Sequence, residues 1–350
     1  MEINKKLLGG LLEELCKING TSGAEERVRE YIIGKIKDKE NCTYSVNPLG
    51  CLIVEYRGRK RAENRLMISA HMDEVGMIIT GINPDGTLNA DCVGGVRADA
   101  VIGRQVVTEG GLIGAVGSKA VHHLSDEEKE KPPKFDNIHI DIGAENESAA
   151  KEKAAPGDMV YFTDGFVKNN GYIRSKAIDD RAGCAVMLAM ILENVPVYDC
   201  VFTFVTQEEI GLRGARTAAF TVSPDHALVL EATTAADIPL SEGDKRCCIL
   251  GEGPVVSYMD RSTIYDRGLY NLSRKTAEEN GIPWQTKTVI AGGNDSGAIH
   301  ISRGGVKTIA LSVPCRYLHT PCCVIKEDDF YNTFALAAAM ADKISGGDLS

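Results

Sequence analysis

Four short runs of this 350-residue sequence are almost wholly apolar, and segments of helical character alternate with them. The runs read RLMISAH, CVFTFVT, HALVLEA and KTIALSV, at residues 65–71, 200–206, 226–232 and 307–313. Runs of this length and composition are typical of strands buried on both faces of a sheet. Helices are predicted at 180–195, at about 267–280 and from Asp328 onward. The alternation predicts a three-layer α/β/α domain.

The N-terminal region adds two helices and a further strand to this prediction. Leucines between Leu7 and Leu15 recur at helical spacing. Ser22 and Glu25 have the spacing of a capping box, which predicts a second helix that ends near Lys37. The run CLIVEY at 51–56 predicts a strand.

The segment 75–166 has a different texture, with short apolar stretches interrupted by glycines. Such punctuation predicts a small β-barrel or sandwich inserted into the α/β domain. The α/β domain would then comprise residues 1–74 and 167–350. Inside the insertion, the charged segment 125–134 is predicted to be a solvated, mobile loop.

The composition narrows the possible partners and compartments. A formal net charge of −10 and the lack of a basic cluster argue against nucleic acids and anionic membranes as partners. The 11 cysteines show no CxxC spacing, which favours free thiols in a reducing cytoplasm. No window is long and apolar enough to suggest a bilayer span.

Polar side chains follow the predicted buried strands, where ligands bind in open α/β sheets. A further pair of carboxylates stands at the start of the helix that begins near residue 180. The candidate residues are His71, Asp73, Asp179, Asp180, Glu208, Glu209, Glu231 and His319.

Taken singly, each candidate has an ordinary structural explanation. A lone histidine after a strand is usually a hydrogen-bonded structural residue, and Asp179 or Asp180 could cap the helix. Five segments that meet at one sheet edge instead favour a site for zinc or a similar divalent ion. Because residues two apart on a strand face the same side, Asp73 can reach His71 and orient its ring.

The motifs AHMDEVGMI, SKAIDDRAG, TQEEIGLRGA, GGNDSGAI and RYLHTP occur in this order along the chain. Together they resemble the two-zinc tetrahedral aminopeptidases of metallopeptidase family forty-two, which also includes glutamyl aminopeptidases and proteins labelled endoglucanase. The resemblance implies a zinc-peptidase domain with an inserted barrel that mediates dimer contacts, within a homo-oligomer that could be a dodecamer. It also implies a cis peptide bond between Asp179 and Asp180.

The resemblance further implies a role for each candidate. His71 would bind one metal ion, His319 and Glu209 the other, and Asp179 would bridge the two. Glu231 stands where the family usually has an aspartate, with Asp237 as the alternative ligand. Glu208 would be the general acid/base, and Asp73 would orient His71. Gly293 and Asp295 would belong to the substrate pocket.

These expectations predict a cytoplasmic metallo-aminopeptidase that removes N-terminal residues from short peptides with a free N-terminus. Two divalent ions, with zinc as the first choice and cobalt or manganese as alternatives, would share a hydroxide and polarise the scissile carbonyl. Glu208 would move the proton. A two-metal deacylase or dipeptidase, a glycoside hydrolase and a non-catalytic metal-bound scaffold are the alternatives.

Overall fold

The computed structural model describes residues 3–239, 241 and 246–349. Its strands, numbered along the chain, are β1 (Cys42–Val46), β2 (Leu52–Tyr56), β3 (Leu66–His71), β4 (Gly76–Ile82), β5 (Leu88–Val93), β6 (Gln105–Thr108), β7 (Ile113–Ser118), β8 (Ile138–Asp141), β9 (Met159–Phe162), β10 (Val167–Asn169), β11 (Tyr172–Ser175), β12 (Cys200–Val205), β13 (His226–Thr234), β14 (Val255–Val256), β15 (Gln285–Thr286), β16 (Lys307–Cys315) and β17 (Cys323–Lys326). Its α-helices are α1 (Lys5–Lys17), α2 (Glu26–Ile36), α3 (Ala98–Val101), α4 (Asp126–Lys129), α5 (Glu147–Lys151), α6 (Ile178–Leu192), α7 (Arg213–Val222), α8 (Arg267–Glu279), α9 (Ser296–Ile299) and α10 (Glu327–Ser345). Short 3-10 helices occupy Val121–His123 and Phe135–Asn137.

The largest sheet has eight strands in the order β1-β2-β12-β3-β13-β16-β14-β15. Its centre, β12-β3-β13-β16, is parallel, whereas β1 and β2 are antiparallel additions at one edge. These four central strands are the four apolar runs of the sequence. They can be apolar throughout because both faces of a parallel sheet are covered by helices.

Two groups of helices cover this sheet. The helices α1, α2 and α10 pack with α6, while α7 packs with α9. Strand β3 contacts both groups and is buried along its whole length, which indicates a helical layer on each side. Helix α6 lies against the sheet and is buried from Ile178 to Ile191, as expected for a helix that is apolar all round. The predicted three-layer α/β/α architecture is confirmed.

The capping box predicted at the start of α2 is wrong. Ser22 Oγ donates a hydrogen bond to Asp73 Oδ2 at 2.6 Å instead of capping the helix. The Glu25 carboxylate accepts from the backbone amides of Gly23 and Gln207. Both side chains therefore connect the N-terminal segment to the strand ends, because partners there compete with the helix terminus.

The inserted segment contains a closed six-stranded barrel with the strand order β4-β5-β8-β7-β6-β9. Its strands lie between Gly76 and Phe162, and a separate apolar core fills its interior. A small barrel is what the glycine-punctuated segment predicts. The limits 75–166 and the role in dimerisation stay predictions. The charged segment 125–134 contains α4, which a capping box of Ser125 and Glu128 starts, so it is not wholly a loop.

A three-stranded sheet, β10-β11-β17, stands where the chain leaves the barrel. It holds β17 directly after the segment that carries His319. All 11 cysteines are free thiols. Among the helices of the described residues, none combines the length and apolar character that a membrane span requires.

Candidate metal centre

The polar residues predicted from the sequence meet at the carboxyl edge of the parallel strands. His71 is the last residue of β3 and stands beside Val205 in β12, so the segment after β12 begins next to it. Glu231 lies in β13, and His319 follows β16. Parallel strands bring their carboxyl ends to one edge, which is why residues so distant in sequence converge.

Two groups of side chains share one carboxylate at this edge. His71 Nε2 lies 3.4 Å from Asp179 Oδ1 and 3.7 Å from Glu231 Oε2. On the other side, His319 Nε2 lies 3.5 Å from Asp179 Oδ2 and 3.5 Å from Glu209 Oε2. In each group the potential ligand atoms lie within 4.8 Å of one another. Asp179 therefore presents one oxygen to each histidine.

The two aspartates at the start of α6 have different environments. Their connecting peptide bond is cis, as the resemblance implies. Both aspartates have non-helical φ/ψ angles, so the regular part of α6 begins after Asp180, whose Oδ1 accepts a hydrogen bond from the backbone amide of Gly183 at 2.8 Å, as a helix cap does. Asp179 is left free to face the two histidines.

Asp73 connects His71 with the two neighbouring glutamates. Its Oδ1 lies 3.4 Å from His71 Nδ1, and its backbone oxygen lies 3.1 Å from the same nitrogen. The same carboxylate accepts hydrogen bonds from the backbone amides of Glu208 at 3.0 Å and Glu209 at 3.1 Å. The buried Asp73 side chain thus helps to orient the His71 ring and also holds the backbone at Glu208 and Glu209.

Glu208 and Glu209 occupy different positions as a result. Glu209 belongs to the group with Asp179 and His319. Glu208 belongs to neither of the two groups around Asp179, but it can form a third combination with His71 and Glu209. The geometry therefore separates the two glutamates while keeping Glu208 close to the possible ligands.

The histidines and the shared aspartate stabilise one another's charged forms. Although burial opposes it, contacts with Asp179 and Asp73 raise the pKa of His71 well above its usual range. Burial likewise opposes the shift at His319, but Asp179 and Glu209 raise its pKa to about 9. Burial would raise the pKa of Asp179, yet contacts with both histidines hold it well below its usual range.

The glutamates show the opposite response: burial, with a smaller contribution from neighbouring carboxylates, favours their uncharged forms. Burial, opposed in part by His319, raises the pKa of Glu209 to about 7. Burial also raises the pKa of Glu231 well above its usual range. At Glu208, burial and the nearby Asp295 and Glu209 raise the pKa well above the usual range, while His71 opposes the shift.

The residues at this edge fit a divalent metal ion. Asp179 Oδ1 and Glu231 Oε1 are buried and have no hydrogen-bond partner among the residues that the structure describes. Buried polar atoms rarely stay unsatisfied without a reason, and an ion is one such reason. Imidazole nitrogens and carboxylate oxygens are also ligands that zinc accepts.

The alternative ligand Asp237 lies elsewhere and is already paired. Its carboxylate receives two hydrogen bonds from Arg316, at 2.7 and 2.8 Å, and one from the amide of Leu250. Of the two residues considered for this position, Glu231 is the one beside His71.

The loop predicted to bind substrate brings Asp295 near His71, Asp73 and Asp179. Asp295 is fully buried, and neither of its carboxylate oxygens has a hydrogen-bond partner in residues 3–239, 241 and 246–349. Burial, with Asp73 and Asp179 contributing, raises the pKa of Asp295 to about 7, against an opposing effect of His71. Gly293 packs against Ser262 so closely that a side chain would meet its Oγ at 2.7 Å.

Sequence reasoning missed two residues that support the site, Ser22 and Glu25. Ser22 donates to Asp73, and Glu25 accepts from Gln207, which directly precedes the glutamate pair. Their spacing is that of a capping box, which predicts hydrogen bonds at the start of α2 instead of bonds to Asp73 and Gln207. Only the fold, which brings the N-terminal segment over the strand ends, shows their role.

Comparisons of the sequence with protein families and with known proteins all indicate an aminopeptidase family. The sequence matches the family described as M42 glutamyl aminopeptidase over residues 50–336. A glutamyl aminopeptidase of Lactococcus lactis subsp. cremoris is 30% identical over 91% of this chain and 91% of its own. A lysyl aminopeptidase of Pyrococcus furiosus is 29% identical over 97% of this chain and 98% of its own.

The fold agrees with this match. The solved TET1 peptidase of Pyrococcus horikoshii superposes with a TM-score of 0.83 at 36% identity, covering 95% of this chain and 99% of that one. Its description states that it can assemble into a tetrahedron or a large octahedral shell. The family implies use of divalent metal ions, which agrees with the two groups around Asp179. The protein is a hydrolase that acts on peptide bonds, and the chain belongs to the M42 glutamyl aminopeptidase family.

Proposed function

We propose that the protein is a two-metal aminopeptidase that removes the N-terminal residue from short peptides. The observation that carries the proposal is Asp179, whose two oxygens face two different histidines in two different ligand groups. One ion would be held by His71, Asp179 and Glu231, and the other by Asp179, Glu209 and His319. When bound, two divalent ions supply an activated nucleophile and polarise the scissile carbonyl.

In this proposal Glu208 moves the proton. It belongs to neither group around Asp179, and burial raises its pKa above the usual range, which makes the carboxylate a better proton acceptor. Glu208 would take the proton of the attacking water and pass it to the nitrogen of the departing peptide. Asp73 would keep Glu208 in position through its carboxylate, and the His71 ring through its backbone oxygen at 3.1 Å and its carboxylate at 3.4 Å.

The segment with Gly293 and Asp295 would bound the substrate pocket. The lack of a side chain at Gly293 lets this segment pack closely on Ser262, and Asp295 contributes a buried carboxyl with no hydrogen-bond partner among the described residues. We further propose that the protein is a cytoplasmic homo-oligomer built from dimers. The free thiols and the assembly described for the similar TET1 peptidase support this part of the proposal.

A substrate panel with controlled metal content tests the function. Chelated protein should be inactive on aminoacyl-anilides and should regain activity when zinc, cobalt or manganese is added singly. The N-acetylated forms of the same anilides should not be cleaved, because they lack the free amine. Preference for N-acylated amino acids would identify a deacylase, and activity that survives thorough chelation would contradict a metal mechanism.

A further inference from the structure

The turn after β5, formed by Gly94 and Gly95, connects the barrel to one half of the metal centre. Gly94 lies against Glu209, and Gly95 lies against the His319 ring. Both contacts are with the group of Asp179, Glu209 and His319. The nearest neighbours of a Cβ placed at either glycine include neither His71 nor Glu231.

The two histidines are oriented in different ways. His71 Nδ1 faces the Asp73 carboxylate at 3.4 Å, so a polar partner sets its ring. His319 Nδ1 has no hydrogen bond to any residue that the structure describes, and it faces Gly95. His319 also has a backbone φ of +56° and is 38% exposed. Its ring needs another restraint, and the barrel turn is in contact with it.

The contact is so close that any side chain at position 95 would force the His319 ring to move. A methyl group built on Gly95 would lie 2.8 Å from His319 Nδ1 and 3.4 Å from its Cε1. A methyl group on Gly94 would lie 3.1 Å from Glu209 Cβ and 2.9 Å from Val75 Cγ1. The backbone of the turn therefore lies directly on both side chains.

We infer that the Gly94–Gly95 turn is a positioning segment for His319 and Glu209, so that the inserted barrel forms one wall of the second ligand group. In the first group, His71 and Glu231 lie on β3 and β13 of the central sheet. The barrel thereby controls the binding of one of the two ions. This inference rests on the two-ion site proposed above.

The substitution Gly95→Ala tests the inference, with Gly110→Ala as the matched control. Gly110 is another barrel glycine, but a methyl group there would have its nearest neighbour at 3.5 Å and no contact with the centre. Chelated proteins would be titrated with zinc in competition with a chromophoric chelator. Wild type and Gly110→Ala should bind two ions, while Gly95→Ala should bind one normally and the other on the order of 10- to 100-fold more weakly.

A double variant shows whether the added methyl group acts through His319. His319→Ala removes the ring, so Gly95→Ala in that background should cause no further loss of zinc affinity. The added methyl group also has room there, which keeps the test valid if the single variant folds poorly.

Three results would overturn the inference: equal binding of both ions by Gly95→Ala and wild type, equal weakening of both ions, or a further loss in the double variant. Wild-type protein that binds fewer than two zinc ions would instead contradict the proposed two-metal function. The two failures are therefore distinguishable without an activity assay.

Discussion

Asp73 is the residue through which the neighbouring glutamates acquire different directions. Its two oxygens accept one backbone amide each, from Glu208 and Glu209. The two amides are therefore held side by side on one carboxylate, and the side chains of Glu208 and Glu209 leave this point in different directions. Glu209 lies with Asp179 and His319, whereas Glu208 remains outside both groups around Asp179.

We predict that Glu208→Gln and Glu209→Ala fail in different ways. Glu208→Gln removes the proposed proton carrier, so turnover should fall on the order of 10²- to 10⁴-fold while the metal content stays at the wild-type level. Glu209→Ala removes a ligand and should lower the metal content. Metal analysis of the purified variants, together with kcat on an aminoacyl-anilide, measures both effects. Identical metal content and identical activity loss in the two variants would contradict this assignment.

At this scale the sequence predicts which residue types converge, but not which other residues hold them. His71, Glu209 and His319 follow recognisable strands, so their convergence follows from strand order. The hydrogen bond from Ser22 to Asp73 joins residues 51 positions apart, and no periodicity encodes it. The contact between Gly95 and His319 is equally invisible, because a glycine has no side chain to signal a partner.

A buried charge cluster joins three elements beneath the centre. Glu74 follows β3, whereas Lys176 and Arg181 flank the start of α6. Lys176 Nζ lies 2.6 Å from Glu74 Oε1, and both side chains are almost fully buried. Arg181 donates hydrogen bonds to the backbone oxygens of Met72, Leu15 and Ile18, which ties α1 to the same place.

We predict that Lys176→Met is strongly destabilising. The substitution leaves the buried Glu74 carboxylate without its closest cation, and breaking a buried pair costs roughly 3–5 kcal/mol. Urea unfolding should show this loss in the free energy of unfolding. As a control, Lys17→Met breaks the exposed pair with Glu13 and should cost less than about 1 kcal/mol. Similar effects of the two substitutions would contradict the prediction.

Elements were predictable where a physical signal is local. Apolar runs marked β3, β12, β13 and β16, and both ends of α8 and the start of α10 lie within a residue of their predicted positions. The start of α2 was predicted for the wrong reason, because the capping spacing of Ser22 and Glu25 serves tertiary contacts instead. A local sequence pattern does not show whether a polar side chain will bond to a helix terminus or to a group distant in sequence.

At the scale of the whole molecule, the raised pKa values at the candidate metal centre make the stability of the metal-free protein depend on pH. His319 has a pKa raised to about 9, and Glu209 and Asp295 have pKa values raised to about 7. Each of these groups binds its proton more tightly in the folded than in the unfolded chain. The lowered pKa values of Asp73 and Asp179 act in the opposite direction, but only at pH below about 4.

We therefore predict that the chelated protein loses stability as the pH rises from 5 to 9. The carboxyls lose their contribution as the pH passes about 7, and His319 loses its own as the pH passes about 9. Zinc should have a stabilising effect that grows over the same range, because ligands bind metal in their deprotonated forms. Urea unfolding at pH 5, 7 and 9, with and without zinc, measures both trends. A chelated protein that becomes more stable with rising pH would contradict them.

The strand order of the central sheet also constrains the order in which parts of the chain can fold during synthesis. Both sheet neighbours of β3, namely β12 and β13, follow the barrel in the chain, and β12 begins only at Cys200. The barrel has all six of its strands once Phe162 has left the ribosome. A nascent chain can thus form the complete barrel before β12 and β13, the parallel neighbours of the apolar strand β3, have been synthesised. The proposed metal centre can be completed only after the barrel and β12, because its last candidate ligand in the chain is His319.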